Sequence, residues 1–216
     1  MQLPFTIEQF LAIFVAYNTG IWPSQIVLNL LAFLSIGFCF RGNVPSRVIS
    51  VVLGILWLWT GIVYHLMFFS SINPAAILFA ALFILEAFVF VYAGVIKQEL
   101  QFGFRVGWRP LLGGLFLAYG LFIYPVIGYF LGHEYPASPT FGAPCPTTIF
   151  TFGLLLWTIR PMKWYVVLIP FIWSCVGFMA ALNLGIFEDV GLLVAGVVGS
   201  AVLLMSHNTG NRRAAA

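Results

Sequence analysis

The chain has 216 residues, of which 62% are hydrophobic and 7% charged, with a mean hydropathy of +1.06. Soluble domains carry about a quarter charged residues, so a soluble globular domain is excluded. The formal charge of +3 identifies no nucleic-acid partner, because the basic residues sort by membrane topology. The composition predicts an all-α, polytopic transmembrane helical bundle forming one domain over 1–213, and Ala214–Ala216 read as vector-derived residues.

The N-terminal stretch MQLPFTIEQFLAIFVAYN has no basic n-region and no small-residue cleavage site, so no cleaved signal peptide is expected. Residues Ile7 to Asn18 are predicted as a short interfacial helix. Thr6 and Gln9 open it with capping-box spacing, and TGIWP breaks it before it can cross. Seven spans follow, at about 24–40, 48–69, 73–97, 111–131, 146–160, 163–184 and 189–206.

All nine Lys and Arg fall in alternate connections: Arg41 and Arg47, then Lys97, Arg105 and Arg109, then Arg160 and Lys163, and finally Arg212 and Arg213. The positive-inside rule makes that side cytoplasmic, with the N-terminus outside and the C-terminus inside. Of the acids, Glu8, Glu134, Glu188 and Asp189 are expected outside, Glu99 inside and Glu86 in mid-membrane. The expected location is the cell inner membrane, multi-pass, with the lipid bilayer as the first partner. Association into a homo-oligomer is compatible with the sequence.

The spans pair into like-oriented hairpins, an arrangement found in parallel-repeat transporters. Asn73-Pro74-Ala75-Ala76 aligns with Cys145-Pro146-Thr147-Thr148, and Gly61 with Tyr64 answers Gly120 with Tyr124. Asn73 and Asp189 read as N-caps of entering helices. Cys145 occupies the same place before Pro146, with Thr147 or Thr148 as alternative caps. Such helix ends point free N–H groups at the outer mouth and suit a carbonyl, carboxylate or anion. The plain alternative is that every helix start needs a cap.

Glu86 lies near the middle of the third span, roughly 16–20 Å from either end at ~1.5 Å per residue. A carboxyl there must face the bundle interior, as a functional group or as an interhelical hydrogen-bond partner. His65 lies one turn beyond Gly61, beside Tyr64, and is either a packing residue or one half of a proton-sensitive pair with Glu86. Cys145 at a helix start is a candidate reactive thiol. Cys39 and Cys175 are not expected to reach it, so neither a disulfide framework nor a metal site is expected.

Several classes are disfavoured. Bis-histidine haem needs a second intramembrane histidine, and retinal needs a lysine in the membrane core. An intramembrane aspartyl protease needs paired acids. No G-x-S-x-G, H-E-x-x-H or P-loop pattern occurs. No cofactor and no catalytic residue are assigned, and an enzyme is the less favoured reading.

The segments FFSSINPAAILFAALFILEAFVFVYAGV, YPVIGYFLGHEYPASPTFGAPCPTTIFTFGLLLW and EDVGLLVAG resemble a family of small bacterial polytopic membrane proteins of unknown function. The resemblance runs roughly from Tyr64 to Gly196 and transfers no activity. INPAAILFAA…FVYAGV is also faintly similar to the urea/amide channels, whose members have three two-helix hairpins around a narrow pore. The predicted seventh span and the Pro-Cys-Pro loop depart from that pattern.

The resulting expectation is a small-solute channel or facilitator, with proton sensitivity, acting on a small polar solute. Its pore-lining residues would be Glu86, His65, Tyr64, Asn73, Cys145, Thr147, Thr148 and Asp189. The alternatives are a membrane-embedded enzyme or thiol protein acting through Cys145, and an accessory or sensor subunit of a larger complex.

Overall fold

A computed structural model describes residues 4–41 and 45–214, with side chains described to residue 205. The molecule is a helical bundle. The first helix, α1 (Ile7–Gly20), is closed at its start by the expected capping box. Thr6 N–H donates to Gln9 Oε1 at 2.9 Å, and Gln9 N–H donates to Thr6 Oγ1 at 3.3 Å. It meets α2 (Ser24–Phe40) at an angle of 86°.

Next comes α3 (Ser46–Trp59), which continues through a π-helical segment (Thr60–Phe68) and a short 3-10 turn to Ser71. The returning helix α4 (Ala76–Val91) ends in a second π segment (Tyr92–Ile96). A third π segment (Tyr119–Ile123) joins α5 (Trp108–Ala118) to α6 (Tyr124–Phe130). The remaining helices are α7 (Pro144–Leu155), α8 (Tyr165–Leu184) and α9 (Val190–Ala214), the last preceded by a 3-10 turn at Phe187–Asp189.

Among the described residues, five helical stretches are long and apolar enough to cross a membrane: Ser46–Ser71, Ala76–Ile96, Trp108–Phe130, Tyr165–Leu184 and Phe187–Met205. The bent pair α1–α2 makes a sixth if it counts as one span. Seven separate spans were expected, and two of them differ. The span at 24–40 is one arm of the bent pair. The span expected at 146–160 stops as a helix at Leu155, after 12 residues or about 18 Å. It stops because the chain beyond it pairs sideways: Ile159 N–H donates to Gln101 O, Gly103 N–H donates to Trp157 O, and Phe102 faces Thr158.

Short as it is, α7 is the central element. Every one of its residues except Cys145 is buried. It packs on α3, α5, α8, α9 and the π segment at Tyr119–Ile123. A helix that is apolar on all sides belongs in a bundle centre, and TTIFTFGLL has no polar face beyond its hydroxyls. Those hydroxyls fold back, from Thr148 to Pro144 O and from Thr151 to Thr147 O, both at 2.8 Å.

Glycine contacts expose an internal repeat. A Cβ on Gly54 would meet the carbonyl of Ala87 and the side chain of Val91, and one on Gly61 would meet the carbonyl of Ala80 and the side chain of Ile84. In the next hairpin, Gly113 meets the carbonyl of Gly153 and Trp157, and Gly120 meets the carbonyl of Pro146 and Phe150. The outgoing helices therefore match at a shift of 59 positions (54 to 113, 61 to 120) and the returning helices at a shift of 66 (80 to 146, 87 to 153). Two of the three π segments obey the same rule, since Thr60 and Tyr119 begin them 59 positions apart. Small residues at these points let helix backbones touch, which is how helices associate where burial from water supplies no drive.

This register corrects the one expected from sequence. Asn73-Pro74 does not overlie Cys145-Pro146, because the equivalent of Cys145 is Phe79. Nor do Tyr64 and Tyr124 correspond, since Tyr124 matches His65.

At one end of the bundle the connections interlock. Phe104 N–H donates to Cys39 O, Phe102 N–H to Ser46 Oγ, and Arg109 to Thr158 Oγ1 at 2.8 Å. Lys163 Nζ lies 2.8 Å from Glu99 Oε1, and Tyr165 donates to Glu99 Oε2 at 2.6 Å. Arg41, Arg47, Lys97, Arg105, Arg109, Arg160 and Lys163 belong to these helix ends and connections. Residues 42–44, and the side chains of Arg212 and Arg213, lie outside the described residues.

Candidate functional site

The opposite end of the bundle is closed by the 131–143 connection, which the α1–α2 knee holds in place. Asn18 Nδ2 donates to Pro136 O at 2.7 Å and to Ser138 O at 2.8 Å, while its Oδ1 accepts from Gln25 and Thr140. Tyr17 O–H donates to Gly142 O at 2.9 Å, and Trp59 Nε1–H donates to Tyr17 at 3.0 Å. Gly142 adopts φ +100°, and a Cβ there would lie 2.6 Å from Leu28. Only glycine meets both demands.

The chain then enters α7 through Pro144-Cys145-Pro146. A helix start leaves four N–H groups without intrahelical partners, and burying them is costly. Here Pro144 and Pro146 have no N–H at all, and Thr147 N–H already bonds Ala143 O at 3.2 Å. That leaves Cys145 N–H alone. The N-cap is Ala143, without a side-chain bond, so the capping roles expected for Cys145, Thr147 and Thr148 are not adopted. The two prolines make side-chain capping unnecessary.

Asp189 also departs from its expected capping role. Its Oδ1 accepts from Tyr124 O–H at 2.6 Å and its Oδ2 from Cys145 Sγ–H at 3.3 Å, so both oxygens face neighbouring helices. Beside it, buried Glu188 takes His133 Nδ1 at 2.8 Å on Oε1 and has no partner on Oε2. Tyr119 O–H donates to the Glu188 carbonyl at 2.8 Å. Asn73 likewise is not the cap: the N-cap of α4 is Ala75, without a side-chain bond, and Asn73 Oδ1 accepts from Ala75 N–H at 3.1 Å in the turn before the helix.

Of these residues, Asn73, Cys145 and Asp189 stand around a cavity of about 500 Å³. Its walls come from α1, the π segment after α3, the start of α4, the start of α7, and α8. Tyr64, Asn73, Cys145 and Asp189, four of the residues singled out from sequence, line it together. Cys175 lines it too, although sequence reasoning kept it away from Cys145, and both thiols are free. The rest of the wall is mostly apolar and includes Phe10, Phe14, Phe79 and Trp173.

His65, Glu86, Thr147 and Thr148 lie outside this lining. His65 is fully buried among rings, with Phe83 at 4.8 Å and Trp173 at 5.2 Å between centroids. Glu86 is fully buried one turn beyond Phe83 on α4. Neither the His65 ring nor the Glu86 carboxyl has a hydrogen-bond partner, so the two do not bond each other. Thr147 Oγ1 is likewise buried and unpartnered.

A profile for a family of unknown function, DUF6064, matches residues 7–214. The chain belongs to the DUF6064 family. No curated protein and no solved structure matches it. In this DUF6064 chain, sequence reasoning missed the role of Tyr124 and the Asn18–Gln25–Thr140 cluster. Asn18 and Gln25 were visible as polar residues within apolar helices, and that was the signal to follow.

Proposed function

We propose that this protein is a facilitator in a bacterial inner membrane that takes a small solute from the outer side, with its N-terminus outside. The observation that carries the proposal is the cavity of about 500 Å³, a volume typical of small-molecule sites, into which Tyr64, Asn73, Cys145 and Asp189 converge. The orientation rests on the grouping of basic residues at the other end.

The cavity favours a carrier over an open pore. Inward of it, Trp57, Phe83, Phe90, Phe150 and Phe152 are almost fully buried, so passage requires rearrangement. The π segments beside it, whose hydrogen bonding is less regular than that of an α-helix, are natural places for such movement. The largely apolar wall fits a solute with one polar end better than the wholly polar solute expected from sequence. Glu86 and His65, buried and unpartnered, supply the proton sensitivity.

The test is uptake by proteoliposomes across a panel of solutes graded in polarity. Uptake above empty liposomes that changes with pH, and loses that change in Glu86→Gln, supports the proposal. Absence of uptake across the panel overturns it. A second reading, a thiol enzyme, is favoured by the Cys145–Asp189 contact, with Asp189 placed to accept the thiol proton. It predicts chemical turnover that alkylation abolishes in the absence of flux.

A further inference from the structure

We propose that the cavity takes an uncharged, chain-like molecule carrying a carbonyl oxygen, such as an acyl ester, which enters sideways from the bilayer. This assignment rests on the reading of the cavity as a binding site and names what it binds. Three hydrogen-bond donors on its wall have nothing to donate to. Trp173 Nε1–H is buried and has only the Cys145 sulfur beside it, a weak acceptor, with no oxygen or nitrogen to bond. Tyr64 O–H forms no hydrogen bond among the described residues, and Asn73 uses its oxygen but not its Nδ2.

The acceptors on the wall are largely taken. Both Asp189 oxygens already accept, from Tyr124 and Cys145, and the Asn183 amide oxygen, which accepts no bond, stands at the rim. A site with surplus donors and few free acceptors recognises a ligand that only accepts, because buried donors left unpaired carry a desolvation cost that such a ligand removes. Among the described residues no Lys, Arg or His lines the cavity, and Asp189 does. A carboxylate or phosphate would find no cation there and would face an acidic neighbour, so the accepting group is neutral.

The way in is lateral. Val176, Met179 and Asn183 line the cavity and are exposed. They stand at i, i+3 and i+7 on α8, on one stripe of a helix apolar enough to span the membrane. Across the opening stand Pro4 and Ala75, also exposed. An opening beside the outer face of a spanning helix meets acyl chains, and the aromatic wall behind it matches their chemistry.

The experiment is photo-crosslinking in liposomes with a methyl stearate that carries a diazirine on its chain. Crosslinks should concentrate on α8 between Trp173 and Asn183, and excess methyl oleate should compete them away while octadecane does not. Tyr64→Phe and Trp173→Phe each remove one donor and should weaken labelling by about three- to tenfold. Ala181→Leu, which fills the space, should abolish it. Thermal midpoints test that all three variants fold; Ala180→Leu takes the place of Ala181→Leu if that one does not, and either donor-deleting variant carries the donor test if the other does not.

Labelling spread evenly over the lipid-facing helices overturns the assignment. So does equal competition by octadecane, stronger competition by oleate anion, or no effect of the donor-deleting variants. Labelling in the cavity without any solute flux upholds this assignment and sinks the facilitator reading. Flux of polar solutes with no cavity labelling does the reverse.

Discussion

Single residues decide how the end of the bundle around the cavity holds together. Tyr124 is almost fully buried and gives its only O–H to Asp189. Tyr124→Phe leaves that carboxyl with the weaker Cys145 donor alone, and should cost about 1–3 kcal/mol of stability. Thermal unfolding in detergent reads this directly, and Tyr129→Phe, at an exposed tyrosine on the same helix, is the control with no expected change. Gly142→Ala combines a positive φ with a clash against Leu28. It should cost about 1–3 kcal/mol and loosen the 131–143 connection, detected as faster maleimide labelling of Cys145. An unchanged labelling rate would mean that the connection does not guard the cavity.

At the scale of elements, the glycine contacts should rank mutations. A Cβ on Gly113 or Gly120 would lie 2.8 Å from a backbone carbonyl of α7, whereas one on Gly37 in α2 meets nothing within 4 Å. Gly113→Val and Gly120→Val should therefore destabilise by about 1–3 kcal/mol. Gly37→Ala should be neutral or stabilising by up to about 1 kcal/mol. Equal effects at all three sites, measured by thermal unfolding, would contradict the described packing.

This contact pattern also explains what the sequence revealed. Gly61 and Gly120 were legible as equivalents because close helix packing leaves glycine as its trace. Asn73-Pro74 and Cys145-Pro146 looked equivalent because proline favours helix starts wherever they occur. That match reported shared local chemistry, and the true register is six positions away (66 against 72). Tyr64, Asn73, Cys145 and Asp189 could be picked out because each stands near a helix end or polar interruption. The Tyr124–Asp189 bond and the bonds of Asn18 to Pro136 and Thr140 join residues 65 to 122 positions apart, which no local pattern records. Glu86 was legible as buried, but its lack of a partner depends on neighbours that sequence does not order.

For the whole molecule, the two ends respond differently to conditions. At the basic end, Glu99 is held below the ordinary carboxyl value, first by the Lys163 hydrogen bond and then by that of Tyr165. A depressed acid pKa stabilises the fold above the unfolded value of about 4.3 and loses that contribution as pH falls through the folded value. Lys163 is raised by the same hydrogen bond, so its share is lost only as pH rises through a value above about 10.4. Stability should therefore weaken below about pH 4, and Glu99→Gln should flatten that acid limb in thermal scans. The two ends should also differ in access. A cysteine introduced at Arg160 should react with an impermeant maleimide only in inside-out vesicles, and one at Glu134 only in right-side-out vesicles. The reverse pattern would invert the proposed orientation.

The matched π segments carry a historical consequence. An extra residue wound into a helix breaks the regular hydrogen-bond ladder, and such insertions persist mostly where they serve a function. Finding one at the same register of two hairpins is explained more simply by inheritance from one ancestor than by two independent acquisitions. The widened turn then predates the duplication, and the divergence came afterwards. One copy kept or gained a tyrosine that ties to Asp189, and the other a histidine tied to nothing. The hairpins of α3–α4 and α5–α7 are thus unequal heirs of one hairpin, and the difference between His65 and Tyr124 marks where they parted.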